Sequence, residues 1–261
     1  MDRYARWNAL LELLADSGRV TVENAAVRLM VSAATIRRDF DQLAQQQMIT
    51  RTRGGAVANS VSYDLPLRYK SARNTSEKQR IGQAAASLVT SGMVVGISGG
   101  TTTTEAARAL AIRPDLASGY DSQRLTIVTN ALNIANEMIV RSHIKVVVTG
   151  GVVRPQSYEL VGPLAMGILR ELTLDMVLLG VNAVDVTLGA AAHHEGEAAI
   201  NNLMAARARR VVVIADSSKL GKHAFARICP IERVDTLITD ARADPDLVAD
   251  FEVAGIKVIV V

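Results

Sequence analysis

Hydrophobic positions keep a helical spacing up to about residue 45, alternate to about residue 57, and then gather into short β-branched runs separated by further helical stretches. In the first part Trp7, Leu10, Leu11 and Leu14 make one helical stripe that stops at Ser17-Gly18, where glycine suits a C-terminal cap. Thr21 is placed to cap a second helix, about Val22 to Met30, with Ala25, Ala26 and Leu29 on one side. A turn of very few residues leads to Ser32, a good N-cap for a third helix that starts at Ala33. Ile36, Phe40 and Leu43 recur there at i, i+4 and i+7, which turns Ala34, Thr35, Arg37 and Arg38 away from the apolar stripe. Helix, tight turn, helix, with a small and basic outer face on the second of the pair, is the layout of a helix that lies in a DNA major groove. Small residues let the backbone approach, and arginine donates two hydrogen bonds to guanine or clamps a phosphate.

Taken alone, the third helix is equally an ordinary amphipathic helix with a solvated basic face. The segment after it favours DNA. Residues Met48 to Val57 alternate as a strand with two arginines and turn at Gly54-Gly55, which suggests a β-wing reaching the DNA backbone. Ser32, Ala34, Thr35, Arg37 and Arg38 on the helix, with Arg51 and Arg53 on the wing, are therefore the candidate DNA contacts.

Residues 58–75 are polar with few periodic hydrophobics and read as a linker between a domain at 1–57 and one at 76–261, with Ser76 capping the helix that opens the second. Arg68, Lys70 and Arg73 in this stretch read as a solvated face. Beyond it, strands are predicted at Met93–Ile97, Leu125–Thr129, Ile144–Thr149, Met176–Gly180, Val211–Ala215, Thr236–Thr239 and Ile256–Val260. Helices are predicted between them, near Thr103–Ala111, Ala131–Arg141, Leu164–Leu172, Glu195–Arg209 and Asp246–Val253. Continuous Val/Ile runs alternating with helices make this an α/β domain with a parallel or mostly parallel sheet. Ligands gather at the carboxyl ends of the strands in such sheets. There the chain places Ser98-Gly99-Gly100-Thr101-Thr102, Thr129-Asn130, Thr149-Gly150-Gly151 and Asp216-Ser217-Ser218-Lys219. A glycine-hydroxyl turn entering a helix can hold a phosphate on its exposed amides, although a simple capped turn looks similar. Lys219 can pair with a phosphate, and Asp216 or Asn130 with sugar hydroxyls.

Composition sharpens this picture. The formal net charge is +3, but residues 1–80 hold 13 Lys and Arg against 8 Asp and Glu while residues 81–261 hold 16 against 18, so the basic surplus sits with the DNA-binding candidate. One cysteine, Cys229, allows no internal disulfide and reads as a small apolar residue in a reducing cytosol. Without a continuous apolar signal segment or a membrane-length apolar run, the protein is expected to be cytoplasmic with no membrane partner. His193-His194-Glu195 has no evident third metal ligand and reads as an exposed loop. Glu195 and Glu197 suit the positive end of a helix dipole, and no metal or cofactor is expected.

The run Val31-Ser32, Thr35-Ile36-Arg37-Arg38-Asp39 and Leu43, closed by Arg53-Gly54-Gly55-Ala56, closely resembles the winged helix-turn-helix of DeoR/GlpR-type bacterial transcription regulators. Gly100-Thr101-Thr102, Thr129-Asn130, Gly150-Gly151, Gly162, Leu174-Asp175, Gly189 and Asp216-Ser217-Ser218-Lys219 resemble motifs of that family's sensor domain, and Glu197 matches an acidic position in it. Ser98 stands where the family commonly has an acidic residue, and Asn201-Asn202 where a Lys-Arg pair is common. The resemblance implies a sensor domain similar to sugar-phosphate isomerase and CoA-transferase-like folds, and a phosphorylated sugar held by Gly100, Thr101, Thr102, Thr129, Asn130, Gly150, Gly151, Asp175, Glu197 and Lys219. It implies a repressor released from double-stranded operator DNA by that sugar. The alternative is a sugar-phosphate isomerase-like enzyme carrying a DNA-binding module. One recognition helix covers only a half-site, so a homodimer or higher homo-oligomer is expected.

Overall fold

The computed structural model describes residues 2–46, 48–58, 67, 74–116 and 124–261. It divides into two compact units, Met1–Arg73 and Asn74–Val261. Most of the expected linker, including Arg68, Lys70 and Arg73, lies outside the described residues.

The first unit contains helix α1 (Arg3–Ser17), strand β1 (Arg19–Thr21), helices α2 (Val22–Leu29) and α3 (Ala33–Gln45), and strands β2 (Ile49–Thr52) and β3 (Gly55–Ala58). The caps agree with the sequence. Gly18 ends α1 with φ 69°, and the Thr21 hydroxyl accepts the Asn24 amide at the start of α2. Helix α2 stops one residue sooner than its periodicity suggests, because Met30 itself takes the left-handed conformation, φ 53°, as the cap. Ile36, Phe40 and Leu43 of α3 are fully buried against Trp7, Leu10, Leu14 and Val22. The wing is a three-stranded sheet of order β1-β3-β2, and its tip is Arg53-Gly54, Gly55 already being paired to Thr52 and Thr21.

The second unit opens with α4 (Thr75–Ser87) and is built on a seven-stranded sheet. Its strands are β4 (Val94–Ile97), β5 (Leu125–Thr129), β6 (Ile144–Val148), β9 (Leu174–Gly180), β12 (Ala208–Ile214), β14 (Thr236–Thr239) and β15 (Lys257–Val260). The order is β15-β14-β12-β9-β4-β5-β6, with every neighbouring pair parallel. Helices α5 (Thr101–Ala111), α6 (Leu132–Ile139), α7 (Pro163–Arg170), α8 (Glu195–Arg207) and α9 (Pro245–Val253) supply the connections. In β9, Met176 and Leu178 enter the core shared with α4, α5 and α6, while Val177 and Leu179 enter the one shared with α7 and α8. Burial on both faces is why these strands read as unbroken apolar runs.

Two antiparallel pieces add to this plan: a hairpin of β7 (Val152–Arg154) with β8 (Glu159–Val161), and a sheet of β10 (Ala183–Asp185), β11 (Gly189–Ala192) and β13 (Ala226–Cys229). Two expectations are corrected. Ser76 lies inside the first turn of α4, and the N-cap is Asn74 at φ 53°, whose side chain makes no cap hydrogen bond and donates from Nδ2 to Asp216. Helix α8 ends at Arg207 because Ala208 already pairs with Leu174 in the sheet, which puts Arg209 and Arg210 in β12. Cys229 lies within β13, and burial pushes its thiol up to about 11.

The independence of the two cores gives a direct test. Phe40→Ala removes a fully buried ring from the small core and should cost that unit about 3–5 kcal/mol. In calorimetry one transition should fall steeply while the transition of residues 74–261 stays in place.

Candidate nucleic-acid interface and effector site

Helix α3 is held by its inner face and left open on its outer one. Ser32 Oγ accepts the Thr35 amide at 3.2 Å, and the first turn carries no acidic residue, so its positive dipole end is uncompensated. Ala34, Arg37 and Arg38 are exposed and Thr35 is half-buried. On the opposite side the Asp39 carboxylate is buried, receiving Trp7 Nε1 at 2.9 Å and Arg6 Nη2 at 3.1 Å from α1. The arginine, which also donates through Nε, and the indole together fix the roll of α3 about its axis, and thereby the direction in which Arg37 and Arg38 point. Asp39 was visible in the sequence only as part of a family motif. An acidic residue set between Ile36 and Phe40, on the flank of the apolar stripe, is the signal that could have singled it out.

The two wing arginines differ. Arg53 is exposed at the tip. Arg51 is half-buried: its Nη1 donates to Gly55 O at 2.9 Å, its Nε stands 2.9 Å from Asp41, and its guanidinium lies 5.6 Å from the Phe40 ring centre. Arg51 thus braces the wing against α3, in contrast to the free phosphate contact expected of it.

In the second unit, chain order runs outward from β4 through β5 to β6 in one direction and from β9 through β12 to β14 in the other. The switch point lies between β4 and β9, and in such sheets ligands bind in the crevice at the carboxyl ends of the strands there. The turn Ser98-Gly99-Gly100 stands there. Ser98 Oγ accepts the Gly180 amide at 2.9 Å, tying the ends of the two strands together. Gly100 begins α5 with φ 140° and no side-chain cap; the Thr103 and Thr104 hydroxyls donate back to its carbonyl. The first amides of α5 therefore meet no capping side chain, with Thr101 half-exposed and Thr102 buried beside them.

The other candidates divide. Lys219 lies in a short turn after β12, two strand spacings or about 10 Å from β4. Gly150 and Gly151, at φ 69° and 117°, come after β6 at the same edge, and a Cβ on Gly151 would stand 2.8 Å from Ala165 Cβ. Thr129 is consumed internally, donating to Ile97 O at 2.7 Å and accepting the Ala131 amide at 3.1 Å. Asn130 is fully buried and donates to Glu159 at 2.9 Å. Asp216 is occupied by the amide and hydroxyl of Ser218 and by Asn74. Asp175 does not join the site: it is the second residue of β9, five residues before Gly180 and so about 16 Å away, and it accepts the Val94 amide at the amino edge. Its place in the motif reflects strand pairing.

A charged group missed in the sequence completes the site. Hairpin β7-β8 sets Arg154 opposite Glu159, and β8 hydrogen-bonds onto the chain leaving β5, Leu160 N reaching Asn130 O at 2.7 Å. Glu159 is thereby carried onto the glycine turn, where a Cβ at Gly99 would stand 2.3 Å from its Cγ. Arg154 Nη1 bonds Glu197 Oε1 at 3.0 Å in the first turn of α8, whose N-cap is His194. Two carboxyls share one guanidinium here. Burial, and then the neighbouring Glu197, push Glu159 up to about 8 against the opposing effects of Asn130, Arg154 and the Gly99 amide. Among the described residues no cluster of His, Cys, Asp or Glu can hold a metal ion, and no helix is long and apolar enough to cross a membrane.

The comparisons with known proteins agree with both halves. Residues 6–62 match the DeoR-like helix-turn-helix domain, and residues 73–241 match the DeoR C terminal sensor domain. The chain belongs to the DeoR family. This DeoR-family chain is 35% identical to the HTH-type transcriptional regulator GlpR of Haloferax volcanii, over 97% of its own length and 96% of the relative's. It is 31% identical to the glycerol-3-phosphate regulon repressor of Escherichia coli K12, over 92% of each chain. Among solved structures it is similar to ribose 5-phosphate isomerase A of Methanocaldococcus jannaschii, with 20% identity, a TM-score of 0.41, and coverage of 56% of this chain and 54% of that one. The DeoR-family assignment makes this protein a DNA-binding transcriptional regulator.

The geometry separates two kinds of arginine. Single replacement of Arg37 or Arg38 by alanine should cost about 1–3 kcal/mol of operator affinity and relax specificity at one base pair. Arg53→Ala should weaken all sequences alike and lower the salt slope by about 1, as read from binding isotherms at several salt concentrations.

Proposed function

We propose that the protein is a repressor of a sugar or sugar-phosphate operon, with the second unit sensing a phosphorylated sugar that releases the first from its operator. The observation that carries this reading is the uncapped start of α5 at the β4-β9 switch point, beside Thr101 and within reach of the Lys219 turn. Backbone N–H groups at a helix start attract a phosphate, and a lysine adds a full positive charge to their partial ones. On the β6 side Gly150 borders open space, and Glu197 stands in the first turn of α8. The relatives' names, a glycerol-3-phosphate regulon repressor and a putative aga operon repressor of Escherichia coli O157:H7 at 32% identity, fit control by a small phosphorylated carbon source. A symmetric dimer or larger assembly and a cytoplasmic location belong to the same proposal. Nothing in this mode of action requires turnover, since an effector acts through its differential affinity for the DNA-competent and DNA-incompetent forms.

Lys219→Ala and Thr101→Val should each leave operator affinity close to wild type while weakening the effector response about ten- to a hundredfold, the equivalent of one charge-assisted hydrogen bond of about 1.5–3 kcal/mol. The check is titration of operator-bound protein with the inducing sugar phosphate. Release of both variants at the wild-type midpoint would overturn the phosphate pocket.

A further inference from the structure

Resting on the effector reading above, we propose that Glu159 is a positioning residue that couples effector binding to a proton: a phosphorylated ligand enters the crevice only when the Glu159 carboxyl is neutral. The geometry comes first. Hairpin β7-β8 delivers Glu159 directly onto Gly99, within the turn that leads into the uncapped start of α5. No residue other than glycine leaves room for that carboxyl, since a Cβ there would lie 2.3 to 2.5 Å from three of its atoms. The carboxyl also accepts the Gly99 amide and the Asn130 side chain, so one N–H of the anion-attracting turn already serves an internal acid.

The charges around it are unbalanced. Facing Glu159 are Glu197 from the start of α8 and Arg154 from β7, and Arg154 spends a hydrogen bond on Glu197 at 3.0 Å. With both acids ionised the cluster carries a net negative charge before any ligand arrives. A phosphate brought to the adjacent amides adds a further anion in a buried setting, where like charges repel strongly. Protonating Glu159 removes one of them without disturbing the hairpin, because a neutral carboxyl still accepts from Asn130. Burial already holds this group near 8 in the unliganded protein, so the proton is available close to neutral pH. Ligand binding pushes the group higher still. Affinity is therefore constant below pH 8 and falls above it, by about tenfold per pH unit, until the bound-state value is passed. The phosphate's own second ionisation, near 6, lies outside this window.

The experiment is titration calorimetry of the full-length protein with fructose 6-phosphate, glycerol 3-phosphate and inorganic phosphate at pH 7.5, 8.5 and 9. Each is run in two buffers of different ionisation enthalpy, so that proton uptake is measured directly. The expected result is uptake of a large fraction of one proton per site at pH 8.5 and a fall in affinity of about eightfold between pH 7.5 and 9. Glu159→Gln, uncharged at every pH, should show neither uptake nor decline. Binding to the wild type without proton uptake overturns the coupling and leaves the effector site standing, and a decline that persists in Glu159→Gln does the same by assigning it to another group. Should the variant fail to fold, the wild-type uptake alone decides. Absence of binding by all three probes overturns the effector reading, and the coupling with it.

Discussion

The parallel pairing of β4 with β9 is the constraint on which the larger unit depends. Val95, Gly96 and Ile97 lie beside Met176, Val177 and Leu178, and from this pair the chain builds outward in both directions. Gly96 lets Leu174 pack closely over the strand: a Cβ there would stand 2.8 Å from Leu174 Cδ1 and push that side chain aside. The two strands end together, with Ser98 Oγ receiving the Gly180 amide. Successive strands are added in opposite directions on the two sides of this pair, which makes its carboxyl end the place where a doubly wound sheet takes a ligand, and the glycine turn and the start of α5 stand there. Were β9 to slip by one residue, Met176 and Leu178 would trade places with Val177 and Leu179, and both cores would be lost along with the site.

The small unit solves a different problem with the same economy. A DNA-reading helix has to be rigidly held while one face stays free of intramolecular partners. Ile36, Phe40 and Leu43 supply the apolar hold, and Asp39 adds direction, since a carboxylate gripped by Arg6 and Trp7 admits little rotation of the helix. Removing either partner alone would leave Asp39 buried and poorly compensated, which explains why a charge occupies this position without being exposed for recognition.

The residues reveal most where one physical demand acts alone. The five inner strands of the large sheet are largely buried on both faces and consist mostly of apolar runs, and the helix caps at Thr21, Ser32 and Gly18 arise from backbone chemistry, so all were legible. Gly189-Ala190-Ala191-Ala192 was not, because its strand is built of small residues that carry no β preference and pair through the close approach of Gly189 to Cys229. Asp175 was misplaced for a related reason: position along a strand, not residue type, decides which edge of the sheet a side chain serves. Glu159 and Arg154 escaped notice because their chemistry depends on a hairpin folding back over β5, a long-range contact with no local period. Thr129 and Asn130 stand at the right edge, yet the Thr129 hydroxyl is spent inside the protein and Asn130 gives its side-chain N–H to Glu159, leaving only its buried Oδ1 without a partner among the described residues.

In the proposed function, a phosphorylated sugar bound at the switch point governs what the recognition helix does. The most direct measurement is fluorescence anisotropy of full-length protein bound to an operator selected from random duplexes, titrated with matched pairs of sugars and their phosphates. The expected result is release by at least one phosphorylated member and none by its unphosphorylated partner at the same concentration. Equal release by both members of a pair, or conversion of the sugar phosphate to an isomer with the operator still bound, would contradict it.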